Sequence, residues 1–408
     1  MKKRCLIFLT TLMAFNMTLQ GTDTDNAGDK QKCSCREKIK FGALEVSESI
    51  PSLSYKGGLV VAEPEVYCVY FNDHAITDAA LNVTANDVPN GTFNPDGTEN
   101  LTRNYIRNSP ADLPQFFRDL LGNSVITPAT ATQKAKRQPQ SSWMKSYVQY
   151  NTPAQTINPG KAIYLGQYNL KISKNTKNKK HPKSFTGDEI STLVGMAIGA
   201  KIVPVNGMNT GGLPSPKLDS HGHPKTIYVV IMPSDFTVVS SLGPTCGSGG
   251  VCGYHDAHVT PSGTTYMLTV IGNCWNNFQK AGDPNKIGFK SCGDGVNSFN
   301  DLCVTISHEL SETISNLVAG ASNQAWTFGT DGSAKENADL CQNRFDADGN
   351  PIVGEFTGFS GKTYTVADVR STAPGSGCIS PGARALTSPA HFTVSSPQAH
   401  ESNMRSEN

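Results

Sequence analysis

Thr305-Ile306-Ser307-His308-Glu309-Leu310-Ser311-Glu312-Thr313 is the stretch on which the reading of this chain turns. A His and a Glu stand four residues apart, with a second Glu directly after the His. On a helix, His308 and Glu312 lie one turn apart on the same face, where both can reach a single metal ion. Ser298 and Asp301 fit the cap and third positions of a helix start, and Ala319-Gly320 fits its end. Within that span Leu302, Ile306, Leu310, Thr313, Ile314 and Leu317 form an apolar stripe at helical spacing, with His308 and Glu312 roughly opposite. The expectation is a helix that packs on a sheet by one face and lines a cleft with the other. The plainer alternative is a solvated polar face that carries an unrelated His and Glu.

The pattern differs from the zinc-hydrolase motif H-E-x-x-H in having Glu312 where the second His stands. Glu309 then takes the position of the general base that draws a proton from metal-bound water. A catalytic site needs a third protein ligand and an open position. Lys335-Glu336-Asn337-Ala338-Asp339-Leu340-Cys341, downstream of a Gly-rich connection, is the best source. Glu336 is the expected third ligand. Asp339 either ligates in its place or accepts from the free nitrogen of His308. Two carboxylates and one imidazole make a hard, negative site, so the expected cofactor is one divalent metal, zinc first, with manganese, iron and calcium open. Such a set acidifies bound water less, which leaves more work to Glu309.

Other histidines compete. In Cys252-Gly253-Tyr254-His255-Asp256-Ala257-His258 the two histidines would face opposite sides of a strand, so they would not share a metal. His255 remains an alternative ligand that reaches the cleft. His221 and His223 sit in a Gly/Pro loop and read as solvent-facing. Asp346-Ala347-Asp348-Gly349-Asn350 lacks the glycine and glutamate spacing of a calcium loop and reads as a hairpin turn.

The bulk numbers narrow the class. The 408 residues carry 17% charged side chains, with 38 Gly and 24 Pro, which describes a loop-rich globular protein. A net charge of +1 gives no reason to expect nucleic acid as a partner. Lys2, Lys3 and Arg4 before an apolar run from Cys5 to Leu19 read as a secretory signal, so the expected location is secreted or extracellular, or periplasmic in a Gram-negative cell. No stable membrane insertion is expected. Of the 11 cysteines, Cys5 would leave with the signal. The remaining ten, at 33, 35, 68, 246, 252, 274, 292, 303, 341 and 378, form an even set of the kind that makes disulfides in an exported chain. The local guesses are Cys246–Cys252, Cys274–Cys292 and Cys341–Cys378.

Along the chain, residues 22–56 are polar and irregular and read as a flexible leader or pro-like segment. Glu65 to Phe71 is a strand, followed by a polar loop over 72–104 with N-x-T sequences at Asn82, Asn90 and Asn100. Pro110 to Leu121 and Ser142 to Tyr150 are helical, and Ile163 to Ile172 is a strand. Lys177 to Lys183 is a solvated basic loop. Thr186-Gly187-Asp188-Glu189 is a capping box opening a helix that runs to about Ile202, stopped by Pro204. Thr226 to Met232 is a buried strand and Thr264 to Ile271 another. Residues 275–297 are an irregular connection, and the tail after 385 is polar.

Two resemblances follow from these marks. The order strand, helix, strand, strand, metal-site helix is similar to the catalytic core of zincin metallopeptidases. Glu336-Asn337-Ala338-Asp339 resembles the Glu-then-Asp pattern of gluzincins, one residue shorter. No metzincin extension follows the helix motif. More broadly, residues 57–380 resemble the phosphate-induced protein or EXORDIUM-like family, in its microbial form with the His-Glu-Leu-x-Glu stretch. The marks are Gly57-Gly58 before Val66–Phe71, Ser142 and Tyr150 around Trp143, and Ile227-Tyr228-Val229-Val230 with Ser234-Asp235. Cys252-Gly253-Tyr254-His255, His308-Glu309-Leu310-x-Glu312-x-x-Ser315-Asn316 and Ala338-Asp339-Leu340-Cys341 complete them. Leu317 departs from the Pro usual in that family.

Together these imply an α+β fold, a zincin-like mixed β-sheet with a backing helix and an active-site helix, loop-rich and disulfide-stapled. The implied layout is a signal peptide over 1–21, the leader over 22–56, one zincin-like catalytic domain over 57–385 and a disordered tail over 386–408. The implied function is an exported zinc metallopeptidase, monomeric and acting on a protein or peptide. The alternative is a non-catalytic extracellular protein that binds a cell-wall or surface component.

Overall fold

Two strands with almost no polar side chains form the middle of the molecule. In a computed structural model of the chain, Glu65–Phe71 (β1) is buried from Val66 onward, and Thr226–Ile231 (β5) is buried throughout. A strand covered on both faces needs an uninterrupted apolar run, and both stretches supply one. The structure describes residues 53–380 except 72–88, 94–98, 102–111, 123–124, 128–135, 138, 171–183, 206–207, 234–235, 247–250, 275–297, 319–323, 329–334, 343–352 and 373–376. The expected signal segment, most of the leader, the basic loop, Cys292, the Asp346–Asn350 turn and the tail therefore lie outside the described residues.

The central sheet has seven strands. The others are Ile163–Leu170 (β2), Val203–Val205 (β3), Met208–Thr210 (β4), Gly253–Val259 (β6) and Thr265–Ile271 (β7). Their spatial order is β6-β7-β5-β1-β2-β4-β3. The inner pairs β7/β5, β5/β1, β1/β2 and β2/β4 are parallel. The two outermost, β6/β7 and β4/β3, are antiparallel. The fold is α+β with a mixed sheet, as the sequence led one to expect.

Helices cover both faces, and side-chain alternation along the strands assigns each residue to one of them. Val66, Cys68, Tyr70, Ile227, Val229, Ile231, Met267 and Ile271 face one layer. That layer holds the helices Asp112–Leu121 (α1) and Ser142–Lys145 (α2) and the long helix Ser298–Ser315 (α4). Tyr67, Val69, Tyr228, Val230, Leu268 and Val270 face the other, against Gly187–Ala197 (α3). Thr186 caps α3 through the reciprocal pair with Glu189 foreseen in the sequence. The helix ends at Ala197, short of the expected Ile202. Ile198 turns to an extended conformation and Gly199 takes φ +76°, a region that favours glycine, so Pro204 falls in strand β3 instead.

Two further expectations change. Ser54–Tyr55 pairs with Trp326–Thr327, so the last residues of the expected leader belong to the fold. Within the loop read over 72–104, Pro89–Phe93 and Glu99–Leu101 pair as an antiparallel ladder.

The disulfides differ from the local guesses. Cys341 joins Cys378 as expected, but Cys246 joins Cys274, and not Cys252. The β6/β7 ladder explains the exchange. Gly253 lies opposite Ile271, and the Gly272 amide donates to the Cys252 carbonyl, which brings the chain after β7 back against the loop before β6. Cys274 therefore belongs to this bridge, and the guess that paired it with Cys292 falls. Cys252 is also disulfide-bonded. Cys68 is a buried free thiol, so the ten cysteines are not all joined in disulfides. Among the described residues no helix is long and apolar enough to cross a membrane.

Candidate metal centre

Helix α4 is buried from Phe299 to Ser315 except at the part-exposed Asn300 and His308. Leu302, Ile306, Leu310, Ile314 and Leu317 lie in the core as the stripe requires. The opposite side is covered as well, which corrects the expectation of an open cleft along it. Ser307 accepts from the Ala367 amide, Thr313 meets Thr269, and Ser311 reaches Asn337. Glu309 and Glu312 are 6% and 3% exposed. Carboxylates so placed need compensating charge, because an unpaired buried ion costs several kcal/mol.

Two histidines meet them from two elements. His308 lies on α4 itself, with its Nε2 3.2 Å from Glu312 Oε1. His255 comes from β6, the edge strand, and the antiparallel register sets it opposite Thr269. Its Nδ1 bonds Glu309 Oε2 at 3.3 Å and stands 3.9 Å from Glu312 Oε2. Its Nε2 stands 3.3 Å from Glu336 Oε1. His258 lies on the other face of β6, its ring against Tyr266, so the two histidines do diverge as alternation requires. His221 is exposed, and His223 bonds Gln155 in the turn around Asp219.

The segment after α4 closes the cluster. Glu336 is 7% exposed and accepts from the Asn316 side chain, whose own oxygen accepts from the Ala325 amide. Asn337 is held by Ser311 and by the Arg370 amide. The Asp339 amide donates to Glu312 Oε1, and Asp339 Oδ1 stands 3.7 Å from His308 Nε2. That is the nitrogen that also faces Glu312, so Asp339 lies on the ligand side of His308 and not behind it. The set gathered is thus His255, His308, Glu309, Glu312, Glu336 and Asp339. Within it, two groups bring their donor atoms within 4.8 Å of one another: His255, Glu312 and Glu336, and His308, Glu309 and Glu312. The combination expected from the sequence, His308 with Glu312 and Glu336, is not one of these groups, because Glu336 sits at the His255 end.

The electrostatics follow from this packing. Burial tends to lower the pKa of His255, but the charge of Glu336 and the bond to Glu309 raise it well above the ordinary value. His308 behaves alike: burial lowers it, and Glu312 and Asp339 more than reverse that. Glu312 is raised, first by its own burial, with His308 working against this and Asp339 and Glu336 adding to it. Asp339 is pushed up by burial and pulled further down by His308, ending below its usual range. Tyr147, fully buried, is raised by burial above all, and the neighbouring Glu312 adds to the shift.

No lysine or arginine among the described residues takes part. Among the described residues, the ion-pair partners of the four carboxylates are these two histidines. His255 Nε2 is buried with no hydrogen-bond partner, although Glu336 is close. Donors about 2.1 Å from one tetrahedral ion stand about 3.4 Å apart. The observed separations of 3.2, 3.3 and 3.7 Å fit that spacing. These buried His and Glu groups could hold a metal ion. The cluster opens at one end only: side-chain exposure rises from 2% at His255 to 16% at His308 and 30% at Asp339.

Gly253 tightens the inner end. A Cβ there would lie 2.9 Å from Glu309 Cγ, from Glu309 Oε1 and from the Val270 carbonyl. Gly253→Ala is therefore expected to destabilise the protein by about 1–3 kcal/mol through overpacking, as measured by denaturant unfolding.

The chain matches no protein-family model, no curated protein and no solved structure. The likeness to the EXORDIUM-like family thus rests on the motifs quoted above.

Proposed function

We propose that the protein is an exported metal-dependent hydrolase, a zinc peptidase of H-E-x-x-E type, with its ligands drawn from His308, Glu312, His255 and Glu336. The observation that carries this reading is His255 Nε2, a buried nitrogen left without a hydrogen bond and 3.3 Å from Glu336, in a pocket of carboxylates that meets no lysine or arginine among the described residues. In a folded protein such an atom calls for a partner. A bound divalent ion would supply Lewis acidity and lower the pKa of a water beside it.

The protein's own groups have separate tasks. Glu309 lies next to the ligand histidine in sequence and reaches the cluster from α4, where it takes the proton of the attacking water. One of its oxygens is engaged by His255 Nδ1, which fixes the carboxylate and the ring together. Asn316 fixes Glu336 in turn. The exposed end at His308 and Asp339 is where a peptide would approach. Disulfides support an oxidising, extracellular setting.

The depth of the cluster favours one other reading, a non-catalytic surface protein in which a metal only clamps helix α4 to its neighbours. Elemental analysis of the protein purified without chelator tests the shared premise. At least one transition metal per chain is expected, and a folded protein free of metal would sink the hydrolase.

A further inference from the structure

We propose that the cluster holds two divalent ions, with Glu312 as the carboxylate shared between them. The inference rests on the metal-dependent reading above and extends it. One ion would be bound by His255, Glu336 and Glu312, the other by His308, Asp339 and Glu312.

Three observations lead there. The first is the arrangement of Glu312. Its Oε1 lies 3.2 Å from His308 Nε2, and its Oε2 lies 3.9 Å from His255 Nδ1, the nitrogen that also bonds Glu309. One carboxylate thus places a separate oxygen beside each imidazole, and on the inner side it lies within 4.8 Å of the donors of His255 and Glu336. The second is that each histidine has a further carboxylate of its own. Glu336 stands 3.3 Å from His255 Nε2, and Asp339 stands 3.7 Å from His308 Nε2. These separations fit donors around a common ion, and neither carboxylate pairs with the other histidine. The donor groups found within reach of one another also share Glu312, with His255 and Glu336 at one end and His308 and Glu309 at the other; Asp339 joins the second end by its 3.7 Å approach to His308 Nε2.

The third is charge. Glu309, Glu312, Glu336 and Asp339 meet no lysine or arginine among the described residues. With the imidazoles neutral, as ligation requires, one divalent ion cancels half of that negative charge. A second ion cancels the rest. Three of the four carboxylates are less than a tenth exposed, so the remaining half would otherwise sit in a poorly solvated interior. His255 Nε2, buried without a hydrogen bond and facing Glu336 Oε1 at 3.3 Å, marks the inner ion's place. Paired ions, if bound, would supply Lewis acidity to the attacking water and to the carbonyl oxygen of a peptide bond. Glu309 stays free for the proton, with His255 Nδ1 on one oxygen.

Manganese is the probe of choice, since it suits oxygen-rich sites and is paramagnetic. The full chain is stripped with chelator, reloaded with Mn²⁺, passed over a desalting column and analysed for metal and by electron paramagnetic resonance. Two manganese ions per chain with the broadened spectrum of a spin-coupled pair are the expected result. One ion with the sharp lines of an isolated centre overturns the second site and leaves the hydrolase standing. No bound ion overturns both. Asp339→Asn, altering the most exposed of the four carboxylates, should reduce the count from two to one and abolish the coupling. A folded Asp339→Asn protein that still carries a coupled pair overturns the assignment. If that variant does not fold, the count and spectrum of the unaltered chain decide.

Discussion

Glu309→Gln is expected to keep its metal and its fold and to lose hydrolysis by about 10²- to 10⁴-fold, the range a positioned general base contributes. The substitution is close to isosteric and leaves a side-chain oxygen that can still face His255 Nδ1, so the ring it steadies should stay in place. What disappears is the ability to take a proton. The measurement pairs metal content with turnover of a mixed-sequence peptide pool by the same preparation. Retained metal with lost turnover assigns the proton transfer to Glu309. Turnover equal to the unaltered protein would remove Glu309 from the chemistry. Loss of the metal together with activity would make it a ligand, in line with the donor group it forms with His308 and Glu312.

How far the site could be read in advance depended on where each residue sits. His308, Glu309 and Glu312 share one helix, and helical periodicity places neighbours three and four apart without tertiary information. The strands Glu65–Phe71 and Thr226–Ile231 were equally legible, because burial on both faces leaves a continuous apolar run. His255 was harder. Alternation along β6 shows that His255 and His258 face opposite ways, but not which face meets α4. That depends on β6 being the antiparallel edge of the sheet, a long-range pairing with β7. Asn316 and Asn337 stood within quoted motifs, but their tasks of bonding Glu336 and the Ser311 carbonyl depend on tertiary packing that the sequence does not show.

The mistaken features have the same origin. The stripe on α4 was correct, but its polar face was taken as open, and periodicity cannot show that the 335–341 segment and the residue 363–367 strand region cover it. The Cys246–Cys252 pairing was chosen for nearness in sequence. The ladder between β6 and β7 instead brings Cys274 to within 4.9 Å of Cys246, Cα to Cα. Glu336 was expected to join His308 and Glu312, with Asp339 ligating in its place or accepting from the free nitrogen of His308. The three-residue spacing of Glu336 and Asp339 and the Asp339 amide bond to Glu312 turn them toward different histidines.

Removing the metal should lower the melting temperature by several °C, and the gap should widen as pH rises. An ion present at 1,000 times its dissociation constant stabilises the native state by about 4 kcal/mol. For a domain of this size each kcal/mol is worth roughly 1–2 °C. The pH trend follows from what the cluster does without metal. His255 and His308 have native pKa values raised above 6.5, so their protonated forms stabilise the fold fully below that value. This contribution is lost as pH climbs through the raised native values. Glu312 is raised above 4.5, so the native state prefers it protonated, and charging it at higher pH adds repulsion among the buried carboxylates. The metal-free protein therefore weakens on the alkaline side. The loaded protein moves the other way, because ligation needs neutral imidazoles and ionised carboxylates, and protons compete with the ion at low pH. Calorimetry with and without chelator, from about pH 6 to about pH 9, measures the difference directly. A gap that is absent, or that narrows toward alkaline pH, would show that these six side chains are held together by their own protons and not by a metal.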